Sequence, residues 1–377
     1  MKIFKRIMLV VISAILLIVV SVFIFFRTAP QIGGKPKGER LERMKKAENY
    51  EKEIFKNTVE TNMDMPLKDL RKVLAHYLFA DKSGKSPKKA IDTEPFSADS
   101  FLAIDTSKIV VTWFGHSSIL IRIDGMTILI DPVLVGKRAS MFSFMGPERF
   151  DYEHHIEIDE LPEIDAVIIS HDHYDHLDYP TILKLKDKIK RFYMPLGIGA
   201  HFEKWGVPSE NIFELAWWDE IELNGLKMAL TPTRHFSGRG LGDRFQTLWG
   251  SWVIIGKNKK LYFSGDSGYF PGFKEIGKKY GPFDLTFMEC GAYNESWSEI
   301  HMFPEETAQA HLDVKGKLLM PIHWGKFDLS IHPWKESVNR LSAKAQEENI
   351  ELFTPEVGEM IVLSDSLEFD AWWKEVE

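Results

Sequence analysis

Ala166-Val167-Ile168-Ile169-Ser170-His171-Asp172-His173-Tyr174-Asp175-His176 is the stretch that decides the reading of this chain. Its first four residues form an unbroken apolar run, the pattern of a strand buried on both faces. Beyond Ser170 come three imidazoles and two carboxylates within six residues. A loop at the end of such a strand can turn His171 and His173 toward one point. It can turn Asp175 and His176 toward a neighbouring one. Imidazole and carboxylate are the donors that zinc, iron and manganese accept.

Outward from that loop the same grammar recurs, a polar residue just after an apolar run. His235 follows Met228–Leu230, Asp266 follows Leu261-Tyr262-Phe263-Ser264-Gly265, and His323 follows Leu318–Ile322. Each is placed at the C-terminal end of a strand, where open α/β sheets carry ligands. Together these positions supply five histidines and two aspartates. That is an inventory for two metals with a shared oxygen ligand. The remaining pattern interleaves strands with helices. Strands are predicted at Val110–Phe114, Ile119–Ile123, Met126–Ile130, Ala166–Ile169, Leu226–Leu230, Trp249–Ile255, Lys260–Phe263, Leu285–Met288 and Leu318–Pro321. Helices are predicted at Tyr179–Lys190, Pro271–Tyr280 and Pro304–Val314. Asp124-Gly125 is a hairpin signal, and Pro304-Glu305-Glu306 suits the first turn of a helix. Sheets covered by helices follow.

The whole chain has 377 residues, 44% hydrophobic and 27% charged, which is globular and exceeds the needs of one small domain. A net charge of -8 gives no support to nucleic-acid binding. Cys290 is the single cysteine, so disulfide frameworks and Cys-based zinc sites are excluded; it reads as a small buried residue. Ile7 to Phe26 is an unbroken run of 20 apolar or small residues, long enough to cross a bilayer core. We read residues 1–27 as one uncleaved membrane anchor. Lys2, Lys5 and Arg6 ahead of it favour a cytoplasmic N-terminus and an extracytoplasmic domain, although seven basic residues from Arg27 to Lys46 follow it. Residues 28–100 are expected to be a stalk and N-terminal extension: Thr28 to Gly38 a flexible stalk rich in glycine and proline, Glu39 to Phe79 helical. Arg43 to Lys56 is either an amphipathic helix at the membrane or a homodimer contact. Residues 101–377 are the expected catalytic domain.

The sum of His-x-His-x-Asp-His, a distal histidine, an aspartate in Gly265-Asp266-Ser267 and a final histidine resembles the metallo-β-lactamase superfamily. Trp113-Phe114-Gly115-His116, Asp131-Pro132, Leu248-Trp249-Gly250-Ser251-Trp252, Gly281-Pro282-Phe283-Asp284-Leu285, Gly291-Ala292-Tyr293 and Ile322-His323-Trp324-Gly325 narrow it. They resemble the phospholipases D that hydrolyse N-acylphosphatidylethanolamine, from about Phe55 to Trp334. The resemblance implies an α/β fold, an αββα sandwich with two zinc ions. It implies His171, His173 and His235 on one metal, Asp175, His176 and His323 on the other, and Asp266 between them. It implies attack on a phosphodiester by water activated at the two metals, with Asp175 and Asp266 as catalytic carboxylates. His301, ahead of a Pro-Glu-Glu helix start, is expected to donate a proton to the leaving group or bind phosphate.

Asp131 is either a partner that fixes the tautomer of a ligand histidine or a turn carboxylate before Pro132. His116 is either an outer partner of the site or a buried histidine. Trp217, Trp218, Phe142, Phe144 and Met145 are read as core packing, with an apolar path to the site as the other option. His76, His154, His155, His201, His311 and His332 are read as ordinary. Three functions stand: a dizinc lipid phosphodiesterase, a dimetal lactonase or esterase of the ascorbate-6-phosphate lactonase type on a soluble substrate, and a tethered binding protein. An acyl-lined groove beside the metals favours the first and a small polar pocket the second.

Overall fold

The computed structural model describes residues 2–63, 71, 83–363 and 371–377. His76 and the stretch expected to be helical beyond residue 63, Arg71 apart, lie outside them. In chain order, α1 (Lys2–Thr28) and α2 (Glu39–Met44) precede a hairpin of β1 (Tyr50–Glu51) and β2 (Ile54–Phe55), then α3 (Ala98–Ala103). The first large sheet comprises β3 (Val110–Trp113), β4 (Ile119–Ile123), β5 (Met126–Ile130), β6 (Ala166–Ile168), β7 (Phe192–Pro195), β8 (Ile212–Leu215) and β16 (Met360–Val362). The second comprises β9 (Glu220–Leu223), β10 (Leu226–Thr231), β11 (Ser251–Ile255), β12 (Lys260–Phe263), β13 (Phe283–Glu289), β14 (Gly316–Ile322) and β15 (Glu351–Leu352). Their orders are β16-β3-β4-β5-β6-β7-β8 and β15-β14-β13-β12-β11-β10-β9.

Period-2 alternation sorts these strands into layers. Val111, Trp113, Ile119, Ile121, Ile128, Ile130 and Ile168 point one way, onto Met228, Leu230, Trp252, Ile254, Phe263, Phe287 and Met320 of the other sheet. The alternate residues Val110, Leu120, Leu129, Val167 and Ile169 point outward, under Ile182 and Leu185 of α4 (Tyr179–Leu185) and Phe202 of α5 (Gly199–Lys204). On the far side Ala229, Val253, Tyr262 and Leu319 meet Phe273 and Ile276 of α6 (Gly272–Lys279), Ala308 of α7 (Pro304–Asp313) and Leu341 of α8 (Glu336–Glu347). Helix, sheet, sheet and helix therefore stack as an αββα sandwich. Strands buried on both faces lose the polar alternation that would mark an exposed face, which is why they read as continuous apolar runs.

α1 carries an apolar stretch from Ile3 to Thr28 whose most apolar window has mean hydropathy 3.3 and is not buried by the domain, which meets the helix near its end, at Phe25. Two expectations for the segment after it are corrected. Thr28–Gly38 is not a free stalk. Ala29 is buried, Trp205 Nε1 donates to Pro30 O at 2.7 Å, and Lys204 Nζ donates to Gly33 O at 2.8 Å. Gly34 lies so close to the Ala200 carbonyl that no side chain fits there. The glycines serve this close approach as well as turning. Arg43 to Lys56 is not one helix. α2 ends at Met44, and the chain turns through Lys52 and Glu53, both at positive φ, into the hairpin. Phe55 is fully buried there against Tyr50, so tertiary packing overrides the helical propensity of the charged residues.

The second sheet also buries an imidazole remote from the loop that follows β6. His311 Nδ1 lies 2.7 Å from Thr286 Oγ1, and burial lowers its pKa to about 4. The unfolded chain takes up this proton near pH 6.5, and the folded chain resists it. The contribution to stability is thus complete above pH 6.5 and is lost as pH falls toward 4, by about 3 kcal/mol. His311→Gln is expected to flatten the fall of melting temperature between pH 7 and 4.5. An unchanged slope excludes His311 as its source.

Candidate metal centre

The candidate residues come from separate strands whose C-terminal ends share one edge of the sandwich. β5 delivers Asp131, the loop after β6 delivers His171 to His176, and β10, β12 and β14 lead to His235, Asp266 and His323. The backbone there is forced. His116, Asp131 and His323 adopt φ of 56°, 40° and 67°, a left-handed region that non-glycine residues rarely occupy. Two reciprocal bonds hold the first and last: His116 N donates to Trp324 O at 2.9 Å, and His323 N to His116 O at 3.0 Å. They lock the loop after β3 to the loop after β14 across the two sheets.

Donor atoms of His171, His173, His235 and Asp266 lie within 4.8 Å of one another, as do those of His116, Asp175, His176 and His323. Asp266 stands between the groups. Its Oδ2 is 3.0 Å from His323 Nε2, 3.2 Å from His176 Nε2, 3.6 Å from His171 Nε2 and 3.7 Å from His235 Nε2. The seven residues expected on the metals are therefore all brought together.

The tautomers are set from behind. His176 Nδ1 donates to Asp131 Oδ2 at 2.7 Å, and His235 Nδ1 to Ile300 O at 2.9 Å. His171 Nδ1 is 2.9 Å from Ser170 Oγ, whose hydroxyl donates to Asp131 Oδ2 at 2.5 Å. Each such bond leaves Nε2 as the lone-pair nitrogen facing the centre. His173 turns Nδ1 inward, 2.9 Å from His171 Nε2 and 3.2 Å from His235 Nε2. Asp131 thus accepts hydrogen bonds from His176, Ser170 Oγ and Ser170 N, the last at 2.7 Å, the position a tautomer-fixing carboxylate requires. His116 Nε2 sits 3.0 Å from Asp175 Oδ2, the same oxygen that lies 3.3 Å from His323 Nε2, so this histidine is part of the donor group.

The fit to cations is visible in the groups left over. Among the described residues, His176 Nε2, His323 Nε2 and Asp266 Oδ1 are buried without a hydrogen-bond partner. Buried polar atoms are rarely left so unless they serve a ligand. Burial opposes the charge on Asp266, yet His176 and His323 outweigh it and hold its carboxyl well below the usual range. Burial likewise opposes charge on His323, and Asp266 with Asp175 overcomes it, raising that imidazole to about 10. Such a cluster of carboxylates and imidazoles favours positive charge at its centre, which a divalent cation would supply in place of protons. Asp131→Asn is expected to weaken metal binding about 10- to 100-fold, read by competition with a chelating dye. Affinity equal to the parent would rule out the tautomer-fixing role.

His301 lies at the rim. Its ring is 5.1 Å from that of His235 and 5.2 Å from that of His323, and Nδ1 is 2.7 Å from Glu289 Oε1. Glu289, fully buried at the end of β13, also accepts from Met302 N at 3.2 Å. The sequence reading passed over Glu289, whose one signal was its place at the end of an apolar run, beside Cys290. Asp172 was likewise not singled out; it belongs to none of the donor groups of the cluster. Asp172 accepts from Gly238 N at 2.8 Å and Thr247 Oγ1 at 2.7 Å, and lies 3.2 Å from His201 Nε2. Arg239 was missed too. It is buried and donates to Asp172 O and Leu177 O at 2.5 and 2.8 Å, bracing the loop from outside.

A cleft of about 310 Å³ opens over the centre. It is lined by His173, Asp175, Asp266, His301 and His323, by apolar Met63, Phe236, Trp297, Ile300 and Leu329, and by Asn62, Arg244 and Ser296. Trp217 and Trp218 are not in it: Trp217 packs on Trp249 and Trp218 lies beneath Lys279. Phe142, Phe144 and Met145 do not line it either. Phe142 is partly buried, while Phe144 and Met145 are exposed, so the packing read for all five fails for those two. His154, His155, His201, His311 and His332 contribute nothing to the centre, as read.

Residues 126–324 match the β-lactamase superfamily domain. With the αββα sandwich and this donor set, the chain belongs to the metallo-β-lactamase superfamily, a group of metal-dependent hydrolases. An uncharacterized protein of Mycobacterium tuberculosis is 40% identical to it over 86% of this chain and 87% of its own length. The N-acyl-phosphatidylethanolamine-hydrolyzing phospholipase D 1 of Caenorhabditis elegans is 32% identical over 74% of this chain and 83% of its own. In fold the chain is similar to Igni18, a metallo hydrolase from Ignicoccus hospitalis. The TM-score is 0.53 at 20% identity, covering 69% of this chain and 100% of that one.

Proposed function

We propose that the protein is a membrane-anchored dizinc phosphodiesterase that cleaves N-acylphosphatidylethanolamine-type phospholipids. α1 is its single span and the domain lies outside the cytoplasm. The observation that carries the substrate class is the cleft. Met63, Phe236, Trp297, Ile300 and Leu329 give it apolar surface for acyl chains beside the polar cluster, with Asn62, Ser296 and Arg244 interspersed. The similarity to the worm phospholipase D supports the same reading.

His171, His173 and His235 would hold one zinc, Asp175, His176 and His323 the other, with Asp266 shared. When bound, the two cations lower the pKa of water and neutralise charge developing at phosphorus. The protein's own groups do the rest. Apolar walls hold the chains and orient the headgroup over Asp266, and Arg244 offers a cation to phosphate oxygen. Water forms the new bond to phosphorus as the bond to the ethanolamine oxygen breaks. Glu289 occupies His301 Nδ1, so Nε2 is the nitrogen that can hand a proton to the departing oxygen. The products are an N-acylethanolamine and phosphatidic acid.

The test is release of N-acylethanolamine from N-acylphosphatidylethanolamine by the full chain in mixed micelles, with and without chelator. Metal-dependent release is expected. No release from protein carrying two metals, with hydrolysis of a soluble lactone instead, would move the assignment to the lactonase class.

A further inference from the structure

We propose that two loops beside the membrane helix form a platform inserted in the bilayer surface, so that the domain rides directly on lipid. The inference rests on reading α1 as the span. Its first support is a distance. The helix ends at Thr28, and Pro30 O is already bound by Trp205 Nε1. Two residues of extended chain reach about 7 Å at most. The headgroup layer of one leaflet is itself about 5–7 Å thick. The face of the domain carrying Trp205 is therefore held within about one headgroup layer of the end of the helix.

The second support is what that face displays. Phe142 stacks on Phe25 of α1 with ring centroids 5.0 Å apart, and Gln31 Nε2 donates to Met141 O at 2.7 Å. This ties the loop through Phe144 and Met145 to the helix end. Arg239 donates to Gln31 O at 3.0 and 2.9 Å, and Gly240 lies against Ile32, which ties the loop carrying Leu241 to the same place. Phe144, Met145 and Leu241 are 76%, 54% and 75% exposed. Among the described residues the other large apolar side chains exposed outside α1 are Leu102 and Leu312, on separate helices. Three such residues on two loops fixed to the end of an apolar helix suit the interface of a bilayer. Arg27, at the end of α1, suits lipid phosphates.

The second loop is also the one that runs from His235 and Phe236 at the cleft to Leu241 at its tip. An inserted Leu241 thus puts the cleft wall within a few residues of the lipid.

Single cysteines test this in the full chain, in a Cys290→Ala background, labelled with an environment-sensitive fluorophore in phosphatidylethanolamine–phosphatidylglycerol liposomes. The positions are F144C, M145C, L241C, L312C and, within α1, V20C. Spin-labelled phospholipid is expected to quench the probes at 144, 145 and 241 several-fold more than at 312. Quenching at 20 but no more at 144, 145 and 241 than at 312 overturns the platform and leaves the span standing. No quenching at 20 overturns both.

Discussion

Replacing Asp266 by asparagine is expected to lower turnover about a thousand-fold, equivalent to about 4 kcal/mol of transition-state stabilisation. Metal content should fall with it. The reason is position. One carboxylate oxygen stands 3.0–3.7 Å from four imidazole nitrogens that belong to the two halves of the centre. No other carboxylate in the cluster reaches both halves so evenly. Asparagine keeps the shape and removes the charge that would balance two cations, so a failure of packing would not explain the loss. Circular dichroism checks the fold, elemental analysis counts metal and the lipid assay reads turnover. A variant holding two metals with turnover within about tenfold of the parent would show that Asp266 is not shared.

The second large effect is expected at His301. His301→Ala should lower kcat about 10²- to 10⁴-fold, the range of a positioned general acid, with metal content and KM near the parent's. Glu289→Gln keeps the hydrogen bond's shape and removes the buried charge that orients His301. It should lower kcat less, again with metal retained. Glu289 touches no substrate in this arrangement; it positions His301 through Nδ1. Loss of a metal in His301→Ala would instead make that ring a ligand, and a raised KM with normal kcat would assign it to phosphate binding.

Much of the architecture was legible because its strands are simple. β4, β5 and β12 fall at the predicted bounds, and β6 and β13 differ by a residue or two. Their residues are buried on both faces, so hydrophobicity alone marks them. β7, β8 and β9 were missed. Phe192–Pro195 is short and ends on proline, and Glu220–Leu223 lies on a sheet edge with charges facing water. α8 was also missed, since Lys, Glu and Gln mask its apolar stripe of Val338, Leu341 and Ala345. The centre was legible for a different reason. Its ligands all follow apolar runs, and side chains at strand ends converge when strands share direction. Glu289 escaped because it ends its strand as a lone acid without a neighbouring histidine. Its partner lies twelve residues on, across a turn that spacing does not reveal. The docking of Thr28–Gly38 escaped because glycine and proline signal turns and flexible linkers alike.

The aromatic packing behind His323 has an optical consequence. Trp324 follows that histidine directly. Its ring lies 5.2 Å from Trp113 and 5.5 Å from Trp372 by centroid, and Trp113 Nε1 donates to His116 O at 2.8 Å. Indoles this close share excitation, and two of them are hard-wired to the backbone that carries the centre. Exciton coupling among them is therefore expected to make the near-ultraviolet circular dichroism sensitive to the state of the His116–His323 crossing, an intrinsic indicator that needs no dye.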